Sequence, residues 1–244
     1  MKKLLVSMPV YNTEKYVDRA IQSVLNQTYQ NFCLVITDDA STDGSFEIIQ
    51  KYKKHPKVIV LSNERNGGCF YSKNRGFKYM KSRNFDVYTS HDADDYSDPT
   101  RFEKVMKVFD DDLIIGCLTG EERIGDPLPL WFKNRITVTM SHAFYSKDAF
   151  NALGFFDNSL CEADLDFWGR LQKYANLSGK YKYGSSDEIL YYAEMTGSNM
   201  INQYDLKQRL EYEKKSREEI NKMSDVKDFY RPFFSIEESV KNKK

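Results

Sequence analysis

Short apolar runs alternate with amphipathic stretches over roughly the first half of the chain. "KLLVSMPV" is apolar almost throughout and reads as a buried strand. "NTEKYVDRAIQSVLNQ" follows and puts Tyr16, Val17, Ala20, Ile21, Val24 and Leu25 on one helical face, with Asn12 or Thr13 placed to cap it. "FCLVIT" repeats the strand pattern. "STDGSFEIIQKY" repeats the helix, with Phe46, Ile48, Ile49 and Tyr52 apolar and Ser41 or Thr42 as caps. "KVIVL", "FDVYTS" and "LIIGCLT" predict three more strands. Between them, "NGGCFYSKNRGFKYMKS" opens on a Gly-Gly turn and becomes a helix, and "DPTRFEKVMKVFDD" is a helix with Pro99 near its first turn.

Strand–helix alternation with short links predicts an α/β fold, a mostly parallel sheet with helices on both faces. Such sheets bind ligands outside the carboxyl ends of their strands. The segments leaving those ends are residues 9–12, 38–43, 62–68 and 91–95, distant in sequence and expected to converge. After Thr119 the pattern is irregular. "GEERIGDPLPLWFKNR" reads as a loop, "ITVTMSHAFYS" and "EILYYAEM" as strands, and "SKDAFNAL" and "EADLDFWGRLQKY" as helices. A charged helix runs from 204 to 223, and "ESVKNKK" is a basic tail.

Composition narrows the partners. The 36 basic and 36 acidic residues cancel, so no bulk electrostatic case for nucleic acid exists. Cys33, Cys69, Cys117 and Cys161 form no CxxC pair and read as reduced thiols of a cytoplasmic protein. The N-terminal apolar run is too short for a signal peptide, and no stretch of 18 apolar residues predicts a membrane span.

The densest chemistry is "SHDADDYSDP", with Asp92, Asp94, Asp95 and Asp98 close together. Alternate carboxylates at a strand end can face one point, and hard divalent cations take such oxygens together with phosphate. A turn-and-cap cluster explains the same residues, Asp98 before Pro99 best of all. Asp39, beside Asp38, can accept a hydrogen bond from a base or ribose edge. Gly67-Gly68 precedes Lys73 and Arg75, which can steady a diphosphate, but the stretch is neither GxxxxGK[ST] nor GxGxxG. In "CEADLDFWGRL", Glu162 and Asp166 fit a helix first turn, whereas Asp164 can act as a general base. His55, His91 and His142 suggest no metal triad, and His91 and His142 are compatible with structural roles.

In their order, four blocks resemble the family 2 glycosyltransferases of GT-A fold: "VSMPVYNTEKYVDRAIQSVLNQTYQNFCLVITDDASTDGS", "NGGCFYSKNRG", "SHDADDYSDPTRFEK" and "GFFDNSLCEADLDFWGRL". The resemblance covers about residues 3 to 195. It implies an inverting enzyme with a nucleotide-diphosphate sugar donor, UDP-linked, and a hydroxyl acceptor such as a glycan. Pro9, Tyr11, Asp39, Arg75, Asp92 and Ala93 would hold the donor. Asp94 with Asp92 would bind Mn2+ or Mg2+, and Asp164 would be the base. Residues 1–98 would form the nucleotide-sugar half, 99–200 the acceptor half, and 201–244 a C-terminal helical extension; peripheral membrane association is compatible with this layout. Two departures stand out. Ala163-Asp164 replaces a frequent Glu-Asp, and Met195 takes the place of a frequent His, leaving water or phosphate to complete a metal site. A sugar-phosphate nucleotidyltransferase would be expected to carry a Gly-rich loop where this chain has "PVYNTEK". A non-catalytic binding module would not need Asp92, Asp94 and Asp164 together.

Overall fold

A computed structural model of the chain describes residues 1–81, 83–125, 136–157, 162–196 and 206–232. Strands β1 (Leu4–Val10), β2 (Phe32–Asp38), β3 (Val58–Ser62) and β4 (Val87–Ser90) alternate with helices α1 (Val17–Leu25), α2 (Ser45–Gln50) and α3 (Cys69–Lys81). The four strands pair in parallel in the order β3-β2-β1-β4, as their uninterrupted apolar runs predict. Then come β5 (Tyr96–Ser97), α4 (Arg101–Val108), β6 (Ile114–Ile124), β7 (Ile136–Ser146), α5 (Lys147–Leu153), α6 (Ala163–Ser178), β8 (Lys182–Glu194), α7 (Leu206–Lys222) and a 3-10 turn (Val226–Phe229).

All the strands belong to one sheet, in the order β3-β2-β1-β4-β7-β6-β8-β5. Beyond β4 it is mixed. β7 enters antiparallel to both β4 and β6, β8 runs parallel to β6, and the two-residue β5 closes the far edge against β8. The sheet therefore runs on across residue 98, where the sequence suggests a division into halves. β6 also takes in residues 120–124, part of the segment expected to be a loop; residues 126–135 of that loop lie outside the described residues, as do the basic tail and Cys161.

Alternation along β1 sets up two cores. Leu4, Val6, Met8 and Val10 face one side, with Val17, Ile21 and Val24 of α1 and Phe102 and Met106 of α4. Leu5 faces the other, with Phe77 of α3, Phe150 of α5 and Phe167 and Trp168 of α6. Packing of α3 on β1 is close enough that a Cβ at Gly76 would stand 2.4 Å from Ser7 Oγ. That approach lets Ser7 Oγ donate to the Lys73 carbonyl at 3.1 Å and fixes the helix against the strand.

The helix starts differ from the expected caps. Neither Asn12 nor Thr13 caps α1, which begins after Tyr16 without a side-chain cap. Both instead tie the β1–α1 loop to the β2–α2 loop: Asn12 Oδ1 accepts from Thr42 N at 2.8 Å, and Thr13 N donates to Ser45 Oγ at 2.8 Å. Asn12 adopts φ of 52° to do so. Neither Ser41 nor Thr42 caps α2, whose N-cap is Gly44; Asp43 Oδ1 accepts from Ser45 N at 2.9 Å just before the helix. Asp98 Oδ1 accepts from Thr100 N at 2.8 Å just ahead of α4, a turn bond rather than the expected cap, since α4 starts after Thr100 without a side-chain cap.

α6 and α7 meet through a buried polar knot. Asp166 accepts from Arg170 Nε at 2.8 Å and from Ser216 Oγ at 3.0 Å. The Arg170 guanidinium, wholly buried, also donates to the carbonyls of Leu153, Phe155 and Phe229. Phe167, Trp168 and Leu171, on the same helix, are core residues.

Candidate active site

The four segments leaving the parallel strands come together at one sheet edge. Their anchor is Asp39, 2% exposed. Its Oδ1 accepts from Asn63 Nδ2 at 2.6 Å and Gly67 N at 2.8 Å, and its Oδ2 from Gly68 N at 2.7 Å. Gly68 has φ of 95°, a conformation glycine adopts without strain, so the Gly-Gly turn can present its N–H groups inward. The Gly-rich loop thus wraps a carboxylate of the chain itself. Arg75 donates to the Ser62 carbonyl and to Asn63 Oδ1, on the β3 side of the cleft.

Pro9 sits in a central strand, where the missing N–H needs an explanation. Residues 4, 8 and 10 of β1 turn their polar groups toward β2, and 5, 7 and 9 toward β4 by alternation. The β4 pairing stops at Ser7↔Ser90, so Pro9 lies past its end and no ladder bond is lost. Tyr11, immediately beyond, is 47% exposed.

The acidic stretch follows β4. Ala93 is buried in the apolar core, which leaves Asp92 and Asp94 partly accessible on either side of it. Asp92 Oδ1 lies 3.0 Å from Lys73 Nζ, a lysine 3% exposed. Burial works against the lysine's charge, yet the carboxylates of Asp92 and Asp164 push its pKa up on balance. Asp95 is buried; its Oδ2 accepts from Tyr191 Oη at 2.8 Å and its Oδ1 from Glu194 N at 2.8 Å. Arg19 reaches across from α1 to Glu194 at 2.8 Å and to the Asp94 carbonyl at 3.3 Å. β8 therefore closes over the cluster from the far side of the sheet.

Glu121 of β6 and His142 of β7 complete the floor. His142 Nε2 lies 3.9 Å from Asp92 Oδ2, 3.8 Å from Asp95 Oδ2 and 3.7 Å from Glu121 Oε2. Its ring stacks on Tyr191 with centroids 3.7 Å apart. Burial, together with Lys73 and Arg101, holds its pKa well below the usual histidine value, so the ring is neutral. His91 is neutral too, pushed down to about 3 by burial and Arg101, and bonds Ser97 Oγ at 3.0 Å as a structural residue. Burial first, and then neighbouring carboxylates, push Asp94 up to about 7 and Asp95 well above the usual range. Such crowding of like charge, with oxygen and imidazole donors facing inward, fits a divalent cation.

Asp164 stands at the start of α6, where Glu162 turns the chain with φ of 58°. Its Oδ2 accepts from Ser141 Oγ at 2.6 Å and its Oδ1 from Leu165 N at 3.1 Å. Ser90 Oγ in turn donates to the Ser141 carbonyl at 2.7 Å, tying the end of β4 to this carboxylate. Glu162 pairs with Arg209 of α7 at 2.6 Å, and Asp166 is locked in the knot, so both are structural. Cys69 opens α3 among Lys73, Asp92, Asp164 and Asp39; burial pushes its thiol up to about 12.

The structure thus brings together Asp39, Asp92, Asp94 and Asp164, with Pro9 and Tyr11 beside them. Arg75, expected near a diphosphate, bonds Ser62 and Asn63, and Lys73, expected beside it, pairs with Asp92 instead. Met195 pairs its N–H with the Ile124 carbonyl beside Gly125, and no described contact joins it to the carboxylates. Glu121 and Tyr191 carry site geometry that the sequence did not single out, while Lys73, Asp95 and His142 take places that the sequence left open. The sequence marks Lys73 as a basic residue on the helix after Gly-Gly and Asp95 as part of the acidic stretch; Glu121 and Tyr191 leave no local signal.

The fold is the GT-A fold of glycosyltransferases. The family model "Glycosyl transferase family 2" matches residues 5–159, and the chain belongs to that family. It is 27% identical to chondroitin synthase of Escherichia coli over 96% of this chain and 35% of that protein. It is 32% identical to the minor teichoic acid biosynthesis protein GgaB of Bacillus subtilis over 77% of this chain and 22% of that protein. The chain therefore spans about a third or less of the length of these relatives. Among solved structures it resembles S. aureus TarS 1-349 in complex with UDP-GlcNAc, with TM-score 0.66, 24% identity and coverage of 83% and 62% of the two chains. It also resembles the mannosyltransferase PcManGT of Pyrobaculum calidifontis in complex with GDP-Man and Mn2+, with TM-score 0.60, 14% identity and coverage of 82% and 59%.

Proposed function

We propose that the chain transfers a sugar from a UDP-linked donor to a hydroxyl of a glycan, with inversion at the anomeric carbon. The observation that carries this reading is Lys73. Its ammonium pairs with Asp92 at 3.0 Å and is raised by Asp164 as well, so a donor-side acid and a candidate base share one cleft. UDP-GlcNAc in the TarS complex and the polysaccharide-related names of the curated relatives support the donor and acceptor classes.

Each residue then has a task. Tyr11, exposed past the end of β1, stacks on the base. Asp39 has a lone pair left on Oδ2 for a base donor and otherwise fixes the Gly-Gly loop. Pro9 keeps the strand end open, and Asp92 and the Ala93 backbone line the sugar. Arg75 holds Asn63, and through it Asp39, rather than the diphosphate. Asp94 with Asp92 would hold Mn2+ or Mg2+, which when bound supplies positive charge opposite the diphosphate. Asp164 takes the acceptor's proton as the acceptor oxygen attacks the anomeric carbon. The bond from that carbon to the diphosphate breaks, and its electron pair leaves with the nucleotide. Ser141 keeps the Asp164 carboxylate aimed across the cleft.

Residues 1–98 would serve the donor, 99–200 the acceptor, and α7 the packing of α6. No helix among the described residues is long and apolar enough to cross a membrane, and Cys33, Cys69 and Cys117 are free thiols, which accords with a cytoplasmic site of action. The test is Asp164→Asn. Release of UDP from a panel of UDP-sugars with glycan acceptors should fall about 10²–10⁴-fold in kcat, with donor affinity kept. Asp166→Asn, two residues along the same helix, should cost stability while the folded fraction keeps its turnover. Undiminished turnover in Asp164→Asn would overturn the assignment.

A further inference from the structure

Three carboxylates turn one oxygen each toward the same imidazole nitrogen. Asp92 places Oδ1 3.0 Å from Lys73 and Oδ2 3.9 Å from His142 Nε2. Glu121 places Oε1 3.0 Å from Arg123 and Oε2 3.7 Å from His142 Nε2. Asp95 Oδ2 accepts from Tyr191 and lies 3.8 Å from the same nitrogen. Separations of 3.7–3.9 Å are too long for hydrogen bonds. They match the spacing of neighbouring ligands on one small cation, since donors about 2.1 Å from such an ion stand about 3–4.2 Å apart around it.

The imidazole is aimed at this point. His142 is 3% exposed, and the three carboxylate oxygens near its ring all lie on the Nε2 side. Tyr191 stacks on the ring and gives its hydroxyl to Asp95, so one side chain orients both an imidazole and a carboxylate. Arg101 donates to the His142 carbonyl at 2.8 Å and holds the strand in place. Outer partners of this kind fix ligand direction in metal sites.

We propose that Asp92 Oδ2, Asp95 Oδ2 and His142 Nε2 form an inner divalent-cation site that fills without any nucleotide. One ligand atom from each of Asp92, Asp95 and His142 lies within 4.8 Å of the other two. The site differs in its ligands from the one that the Asp92-Ala93-Asp94 motif implies for a donor-bound cation, and Asp92 belongs to both. Two carboxylates with one imidazole suit a first-row transition ion such as Mn2+ better than Mg2+. The inner ion stands behind Asp92 and offsets the repulsion that gathers there. The inference rests on this geometry and not on sugar transfer.

The test uses Mn2+ alone, titrated into the full chain without nucleotide and followed by electron paramagnetic resonance. Bound Mn2+ should show electron-spin-echo modulation from a directly coordinated nitrogen, and the modulation should change when the histidines carry 15N. His142→Gln should remove that coupling and raise the Mn2+ Kd at least about tenfold. His55→Gln and Asp94→Asn should retain it. The isotope arm is read in the unaltered chain and does not depend on any variant folding. No nitrogen coupling in the unaltered chain, or coupling that survives His142→Gln, would overturn the proposal and leave a buried water as the occupant. Loss of the coupling in Asp94→Asn would merge the inner site with the motif site and overturn it also. Turnover enters none of these readouts, so their failure leaves the sugar-transfer reading standing.

Discussion

Asp166 and Asp95 are both buried acids, and the chain treats them in opposite ways. Asp166 meets a full guanidinium and a hydroxyl, and that guanidinium spends its remaining donors on backbone carbonyls. Asp95 meets a phenol and a backbone N–H, with Asp92 and Asp94 close enough to raise its pKa beyond what burial alone does. In the first region charge is matched inside the chain. In the second, carboxylates crowd together with Lys73, Arg101 and Arg123 set around them, and Asp95 is still raised well above the usual range. A matched buried charge joins helices; a crowded one is what the proposed cation would relieve.

The widest gap between the two regions should appear on breaking the matched one. Arg170→Met leaves Asp166 charged and buried and strips donors from the Leu153, Phe155 and Phe229 carbonyls. It should cost about 3–5 kcal/mol in urea unfolding. Adding Asp166→Asn to it should recover only part, because the carbonyls stay without donors. A loss below about 1 kcal/mol would mean that the knot is no more than a surface pair.

The crowded region should respond in the opposite sense. In EDTA, Asp94 titrates near 7 in the folded chain and near 4 when unfolded. The folded state therefore binds the extra proton between those values. Its contribution to stability is complete below about pH 4 and is lost as pH rises through about 7. Asp94→Asn lacks this loss. Its unfolding midpoint should coincide with that of the unaltered chain near pH 4 and exceed it at pH 8, and Mn2+ should narrow the difference. Equal midpoints at pH 8 without metal would show that the repulsion is already relieved.

The smallest effect should fall between the two regions, at Ser141. Ser141→Ala removes one donor from Asp164 and touches neither the knot nor the acidic stretch. It should lower kcat several-fold, roughly 1 kcal/mol, with KM for the donor unchanged. A rise in KM without loss of kcat would move Ser141 from the base to the donor side.

The parallel half of the sheet was legible because each strand is a short apolar run closed by turn residues, a pattern with few competing folds. The same regularity placed residues 9–12, 38–43, 62–68 and 91–95 at one edge. Residue direction was harder. Lys73 and Arg75 look equivalent in sequence, yet about 100° of helical turn per residue puts them nearly opposite one another, and only Lys73 faces the acids. His142 stayed hidden because its partners come from the segment after β4 and from β6 and β8, and nothing local announces that β7 slips in antiparallel between two neighbours. Asp39 was found, but its occupants were not, since a Gly-Gly turn can wrap a ligand or a carboxylate of its own chain equally well.

The Tyr191–Asp95 bond joins residues 96 positions apart. At a ribosome adding about 5–20 residues per second, the parallel strands and their Asp-rich turns emerge several seconds before β8 does. During that interval the acids have neither their phenol nor the backbone N–H of Glu194. Order in this cleft should thus appear late in biogenesis, after the first four strands have already settled. Arrest of synthesis between β7 and β8 should yield a nascent chain whose N-terminal strands resist protease while Mn2+ confers no added protection.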